Sequence, residues 1–169
     1  FVAVMSDQHG IQPRSIFFTA FALTVLVTRV FSGRLADRVG HRRFLLPCLA
    51  LVTVGLTATA LAQTRMQLVL AAAVFGLGFG NQYPAFVGYV LKFVDPARRG
   101  AAFGGILAAF DTGIGTGSIS LGWVVEHVGY EAAFGVAAFV AALAIPYFAL
   151  WAEPRFLAQT RNAHTVIEL

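Results

Sequence analysis

Three long stretches of this chain carry no charged side chain, and they constrain its fold more than any other feature. They cover residues 44–64, 66–91 and 132–152, with lengths of 21, 26 and 21 residues. A helix needs about 20 apolar residues to cross the hydrocarbon core of a bilayer, so each stretch is long enough for one crossing. Only 12% of the residues are charged, about half the share that is usual in a soluble domain. The pattern predicts an all-α membrane protein with the lipid bilayer as its solvent.

Short polar segments separate the apolar stretches and divide residues 1–151 into six predicted membrane spans. These spans are residues 1–5, 15–32, 44–62, 66–91, 101–125 and 132–151, and residues 152–169 form a polar tail. The first span reads as the last turn of a helix whose beginning lies outside this sequence, and it lacks the features of a signal peptide. We therefore expect a fragment of a longer protein with a truncated first span.

Basic residues are distributed unequally between the two sides that the six-span model defines. Nine lie in alternate connections and the tail, and two lie on the opposite side. The nine are Arg34, Arg38, Arg42, Arg43, Lys92, Arg98, Arg99, Arg155 and Arg161, and the two are Arg14 and Arg65. Basic loops stay in the cytoplasm, which predicts a multi-pass protein of the inner or plasma membrane with a cytoplasmic C-terminus. This arrangement accounts for the net charge of +4 without nucleic acid as a partner.

The connection between the second and third spans, residues 33–43, reads GRLADRVGHRR. Glycines permit a tight reversal between antiparallel helices, and a carboxylate there can pair with arginines or a helix N-terminus. An ordinary basic loop is the alternative. The segment resembles the signature loop of the major facilitator superfamily, with His41 where that family usually has Arg or Lys. The resemblance assigns signature and gating roles to Gly33, Asp37, Arg38, Gly40 and Arg42.

A second segment, residues 95–100, agrees with this resemblance. Asp95 is a candidate N-cap, with Pro96 at the first position of the following helix. Family members have a similar stretch before their fifth or eleventh helix, where the helix N-terminus and its arginine receive the signature carboxylate of the opposite half. The resemblance thus adds Arg98 and Arg99 to the gating residues.

The resemblance implies a six-helix half-bundle built from two three-helix repeats. Residues 113–118 have the glycines but lack the proline that antiporters of the family often carry in the fifth helix. That difference and the short tail favour the C-terminal half over the N-terminal half. The implied function is secondary transport of a small-molecule substrate by alternating access. The other six-helix half of the polypeptide is the implied partner, and no cofactor is expected.

Asp111 is the acidic residue that lies deep within a predicted span. It is about ten residues, or ~15 Å, from the start of the fifth span. An ionisable group at this depth is a candidate for binding a cationic group or carrying a coupled proton. The alternative is a carboxylate that only hydrogen-bonds a neighbouring helix.

Three consecutive polar residues, Asn81, Gln82 and Tyr83, interrupt the fourth span. They can bind a hydroxylated or zwitterionic solute, or they can serve interhelical hydrogen bonds alone. Arg29 lies near the cytoplasmic end of the second span, where a side chain can snorkel to the surface. Its role is structural or in gating. Aromatic residues such as Phe17 and Phe18 are interpreted as lipid or packing residues.

Glycines recur at steps of four in the fourth and fifth spans. The pairs are Gly76 and Gly80, Gly100 and Gly104, and Gly113 and Gly117. Such small-xxx-small pairs let helix backbones approach closely. Pro84 and Gly88 extend the first row, which predicts either tight packing alone or a thin face that also bends between access states.

The combined prediction is part of a secondary active transporter, with proton-coupled efflux of a sugar-like or drug-like compound as the specific hypothesis. A membrane-embedded enzyme is one alternative, but the spans contain one acid and no histidine for a catalytic group. A non-transporting membrane scaffold is the other.

Overall fold

The computed structural model describes residues 1–39 and 41–152, with side chains described except at residues 31–39, 41, 42 and 151. Every regular element in these ranges is helical, which confirms the all-α prediction. The α-helices are α1 (Val2–Gln8), α2 (Ile16–Val39), α3 (His41–Ala60), α4 (Arg65–Leu91), α5 (Arg99–Val128) and α6 (Tyr130–Tyr147). A 3-10 helix, Pro96–Arg98, precedes α5, and a π-helical turn, Phe148–Ala152, follows α6.

The sequence predicts a loop at residues 33–43, and this prediction is wrong for most of the segment. α2 continues to Val39 and α3 begins at His41, while Gly40 lies outside the described residues. Arginine, leucine and alanine fill most of this segment and favour helix, and one glycine inside a helix costs only about 1 kcal/mol relative to alanine. The basic signature segment is therefore an extension of two helices.

Two other helix ends have clear local causes. Thr64 and Gln67 form a capping box at the start of α4, in which the Thr64 hydroxyl accepts from the Gln67 backbone at 3.3 Å. Asp95 caps the 3-10 helix by accepting from the Ala97 backbone at 2.8 Å, with Pro96 at its first position. The predicted N-cap at Asp95 is thus confirmed.

α4 lies at the centre of the described bundle, packed against α2 and α3. A Cβ atom at Gly76 would lie 3.1 Å from the carbonyl oxygen of Phe21 in α2. One at Gly78 would lie 2.6 Å from the backbone nitrogen of Val52 in α3. A Cβ atom at Gly80 would lie 3.0 Å from a valine side chain of α2. The approach at Gly78 leaves no room for a Cβ atom, and those at Gly76 and Gly80 are tight, so the close packing predicted from Gly76 and Gly80 is confirmed.

Buried apolar side chains form two clusters. One, between the chain start and the α3–α4 connection, contains Val2, Met5, Ile11, Phe17, Ala62, Leu68 and Ala72. The other lies where α3 begins and α6 ends, and contains Leu45, Leu49, Ala85, Tyr89 and Phe148. Phe17 stacks on Phe21 with the ring centroids 6.5 Å apart, which agrees with its interpretation as a packing residue.

α5 lies at the edge of the bundle, where it packs mainly against α6 and only slightly against α4. It joins α6 through the single residue Gly129, whose φ of 107° is strained for any other residue. No atom of another described helix lies within 4 Å of a Cβ placed at Gly104, Gly113 or Gly117. The close packing predicted for the glycine pairs of α5 is therefore wrong for the described helices, because none of them lies beside Gly104, Gly113 or Gly117.

Two described segments, Arg43–Ala60 and Tyr130–Leu150, are long and apolar enough to cross a membrane by length and composition. α2 contributes a shorter apolar segment, Ile16–Val30. α4 and α5 are 27 and 30 residues long, or roughly 40–45 Å at 1.5 Å per residue. Polar residues at mid-length set them apart from the two apolar segments. The count of six spans stays a prediction.

Candidate functional site

A cavity of about 700 Å³ lies between α3, α4, α5 and α6, at the end of the bundle where α3 and α5 begin. Among the described residues that line it, six are aromatic and none is charged. They are Leu45, Leu49, Phe79, Gln82, Tyr83, Phe86, Ala102, Gly105, Ile106, Ala109, Phe110, Ala144, Tyr147, Phe148 and Ala152. The volume falls within the range of small-molecule sites, which are mostly apolar with a few polar groups.

One wall of the cavity is formed by small residues of α5. Ala102, Gly105 and Ala109 follow one another at steps of three and four, so they lie on one face of the helix. A Cβ atom at Gly105 would have no neighbour within 4 Å in the described part of the chain. The opposite wall includes the π-helical turn through Phe148, a type of helix irregularity that is frequent at functional sites. The α5 wall is thin, and it leaves room for a ligand.

Two of the three predicted polar residues of α4 line this cavity. The Tyr83 ring lies 5.1 Å from that of Phe110, which links α4 to α5. The Tyr83 hydroxyl is buried and has no hydrogen-bond partner among the described residues. The partly buried Gln82 amide likewise makes no hydrogen bond within the described chain. The site thus combines apolar walls with two adjacent polar groups that can bind a ligand.

Asn81, the third member of the predicted cluster, lies outside the cavity lining. Its side chain is 6% exposed, and its Nδ2 donates to the Leu77 carbonyl of the same helix at 2.7 Å. The Oδ1 atom is buried without a partner in the described part of the chain. The structure therefore separates Asn81 from Gln82 and Tyr83, which the sequence had grouped together.

Asp111 is exposed on α5, one residue beyond the cavity residue Phe110. It makes no hydrogen bond or ion pair with any other described residue. The hydroxyls beside it are satisfied within their own helix: Thr112 donates to the Ala108 carbonyl at 2.7 Å, and Thr116 to the Thr112 carbonyl at 2.7 Å. Asp111 is therefore a charged residue in the middle of α5 without a partner among the described residues.

The predicted gating residues fall into three groups. Arg98 and Arg99 are exposed where α5 begins, so they add positive charge to a helix N-terminus. Arg29 is exposed near the end of the apolar segment Ile16–Val30, although α2 itself continues for ten more residues. The backbone at Gly33, Asp37, Arg38 and Arg42 is helical, their side chains are outside the described set, and Gly40 is outside the described residues.

Apart from Tyr83, the aromatic residues of the cavity were not among the predicted site residues. Phe79, Phe86, Phe110 and Phe148 look like ordinary membrane or packing residues in the sequence. The sequence feature that could have indicated this cavity was the row of small residues in α5 at steps of three and four. Its position opposite the aromatic rings of α4 and α6 depends on helix packing that the sequence does not display.

Residues 1–166 match the family model of the Major Facilitator Superfamily. The uridine/deoxyuridine transporter of Lactococcus lactis is 32% identical over 133 residues, which are 78% of this chain and 27% of that protein. The 3-(3-hydroxy-phenyl)propionate transporter of Escherichia coli is 28% identical over 134 residues, 79% of this chain and 33% of that protein. No solved structure matches the chain.

The tetracenomycin C resistance and export protein of Streptomyces glaucescens is 29% identical over 150 residues, 85% of this chain and 28% of that protein. The chain thus spans between 27% and 33% of the length of these three relatives. The family model covers nearly the whole of it. The chain belongs to the Major Facilitator Superfamily.

Proposed function

We propose that this chain is the C-terminal six-helix half of a secondary transporter that moves a small solute by alternating access. Membership of the superfamily makes it part of a membrane transport protein. The all-helical architecture, with five helices of 18 to 30 residues after the short α1, supports a half-bundle. The share of the relatives' length that it covers leaves room for a second half elsewhere in the polypeptide.

The open polar face of α5 carries this proposal. Asp111, Gly115 and Ser118 lie on one side of α5 by helical spacing, and all three are exposed with no other described helix covering them. A carboxylate at membrane depth is costly unless it faces protein or water. In our proposal this face meets the other half of the transporter along the solute pathway. Asp111 is then the candidate for a coupled proton or a cationic group of the substrate.

The signature segment and the start of α5 supply the proposed gate. Asp37 lies in the last turns of α2, and Arg98 and Arg99 lie at the N-terminus of α5. A carboxylate is stabilised by arginines and by the positive end of a helix. In an assembly of two related halves, each signature carboxylate can therefore stabilise one access state by binding the corresponding helix end of the other half.

The substrate and the direction of transport are proposed only as classes. The relatives are named for uridine and deoxyuridine, for 3-(3-hydroxy-phenyl)propionate, and for export of tetracenomycin C. Efflux of a sugar-like or drug-like compound, driven by protons, is the specific hypothesis. A membrane scaffold without transport and a membrane-embedded enzyme are the competing ones.

The test is flux into vesicles that contain the intact protein. Uridine, 3-(3-hydroxy-phenyl)propionate and tetracenomycin C are offered separately, with and without an imposed pH gradient. We expect protein-dependent flux of at least one compound, and we expect Asp37→Asn to slow it more than it lowers the amount of folded protein. Loss of the gate contact shifts the access equilibrium by about 1–3 kcal/mol, the usual size of such a coupling. Full initial rates in Asp37→Asn would remove the gate from the proposal.

A further inference from the structure

We propose that the cavity between α3, α4, α5 and α6 binds an uncharged aromatic molecule, and that this class of molecule is the transported solute. The second part rests on the proposed transport function. The first part rests on the cavity itself, whose volume of about 700 Å³ suits a molecule of two or three fused or linked rings. The cavity lies within one half-bundle, and it is distinct from the open polar face of α5.

The uncharged lining argues against ionic solutes at this site. None of the described residues that line the cavity is an aspartate, glutamate, lysine, arginine or histidine. The cavity is open on one side, and an ion that lay against its apolar walls would lose part of its hydration without gaining a counter-charge from the described lining. Asp111 follows directly after Phe110 but does not line the cavity, so it offers no counter-charge there.

The small number of polar side chains in the cavity lining argues against a sugar as the ligand. Among the fifteen lining side chains, only Gln82, Tyr83 and Tyr147 carry a polar atom. The hydroxyl groups of a sugar that face the apolar walls would outnumber these side chains, and each one left unpaired out of reach of water costs about 1–3 kcal/mol. Two of the three, the Gln82 amide and the Tyr83 hydroxyl, lack a partner among the described residues. They suit a ligand that carries one or two hydrogen-bonding atoms.

Aromatic rings supply the remaining recognition. Tyr83 and Phe110 lie 5.1 Å apart on neighbouring helices, and Phe148 stands on the wall that faces α5. Rings favour offset or edge-to-face contacts with other rings. The row Ala102, Gly105 and Ala109 lets a flat molecule lie close to the α5 backbone. A planar uncharged ring system therefore fits both the walls and the polar groups.

The experiment uses benzophenone as an uncharged aromatic photolabel on the intact protein in lipid nanodiscs. Labelled peptides are mapped by mass spectrometry, which separates labelling at this site from partition into lipid. We expect labelling on α4 residues 79–86 and α5 residues 102–110. The charged analogue 4-benzoylbenzoate should label these peptides about tenfold less, equivalent to 1.4 kcal/mol in binding.

Gly105→Phe is the blocking variant, because its side chain would fill space that is empty in the structure. Gly104→Phe is the matched control: it has the same surroundings, with no atom within 4 Å, but it does not line the cavity. We expect labelling to fall about tenfold in the first and by less than about twofold in the second. Tyr83→Phe keeps the ring and should weaken only ligands that hydrogen-bond to the hydroxyl.

Equal loss of labelling in the two glycine variants, or equal labelling by the charged analogue, would overturn the proposal. So would a phospholipid that is retained on purification and released by Gly105→Phe, since the cavity would then hold an acyl chain. Flux is measured separately in vesicles. Labelling without flux would contradict the transport function and leave the binding site standing, whereas flux without labelling would contradict the binding site alone.

Discussion

α4 and α5 are both long helices with glycines at helical spacing and polar residues at mid-length, but their surroundings differ completely. In α4, a Cβ atom at Gly76, Gly78 or Gly80 would lie between 2.6 and 3.1 Å from a neighbouring helix. In α5, the same atom at Gly113, Gly115 or Gly117 would have no neighbour within 4 Å. One glycine row permits contact between helices of this chain, and the other is open.

Glycine spacing therefore predicts where another helix can pack closely, but it does not predict which helix does so. α2 and α3 cover α4 on two sides, so its polar residues lie in the interior or at the cavity. α5 packs mainly on α6 and leaves Asp111 without a described partner. In our proposal the open row of α5 is completed by the other half of the transporter, which alternately approaches and withdraws.

The largest expected effect concerns Gly78. Its Cβ would lie 2.6 Å from the Val52 backbone nitrogen and 2.7 Å from the Cys48 carbonyl oxygen, and neither backbone atom can move freely. Gly78→Ala should lower the free energy of unfolding by about 2 kcal/mol, since overpacking of 1–3 kcal/mol outweighs the gain in helix propensity. Thermal unfolding of the purified intact protein in detergent measures this effect.

Gly115→Ala is the matched variant in α5. With no neighbour within 4 Å, it should leave stability unchanged or raise it by up to about 1 kcal/mol through helix propensity. If Gly78→Ala is tolerated as well as Gly115→Ala, the difference between the two helices does not exist. If both are destabilising, α5 is packed as tightly as α4 by a partner outside this chain.

An intermediate effect is expected at Asp111, on transport and not on stability. Asp111→Asn should abolish accumulation against a gradient while leaving exchange of substrate largely intact, because the amide cannot carry a proton. Counterflow and pH-driven uptake in vesicles measure the two activities. Thr112→Val is the control at the next position of the same helix, since the Thr112 hydroxyl already bonds within α5. Accumulation that persists in Asp111→Asn would leave this residue a structural role only.

The smallest effect on stability is expected at the junction of α5 and α6, far from the cavity. His9 Nε2 and Glu131 Oε1 lie 2.9 Å apart and tie the α1–α2 connection to the start of α6. The Glu131 side chain is 52% exposed, so solvent screens the pair and Glu131→Gln should cost no more than about 0.5 kcal/mol. Thermal unfolding again measures it. A loss as large as that of Gly78→Ala would mean that this connection, and not the α4 packing, limits stability.

The sequence by itself determined the helical class, the membrane as solvent, the family and most helix positions. Long uncharged stretches leave few other folds, because their backbone groups must bond internally in lipid. The Asp95–Pro96 start and the Gly76–Gly80 contact are local features, so they were readable as well. The extension of α2 through Gly33 was missed, because a single glycine weighs little against strong helix formers.

Only the tertiary structure decided which of the polar and small residues share a site. It placed Gln82 and Tyr83 at the cavity, whereas the Asn81 side chain hydrogen-bonds within α4, although the three residues are consecutive in sequence. Successive residues on a helix point about 100° apart, so neighbours in sequence face different surroundings. What each face meets depends on where α2, α3 and α5 lie around α4, and that is set by the summed packing of all the helices.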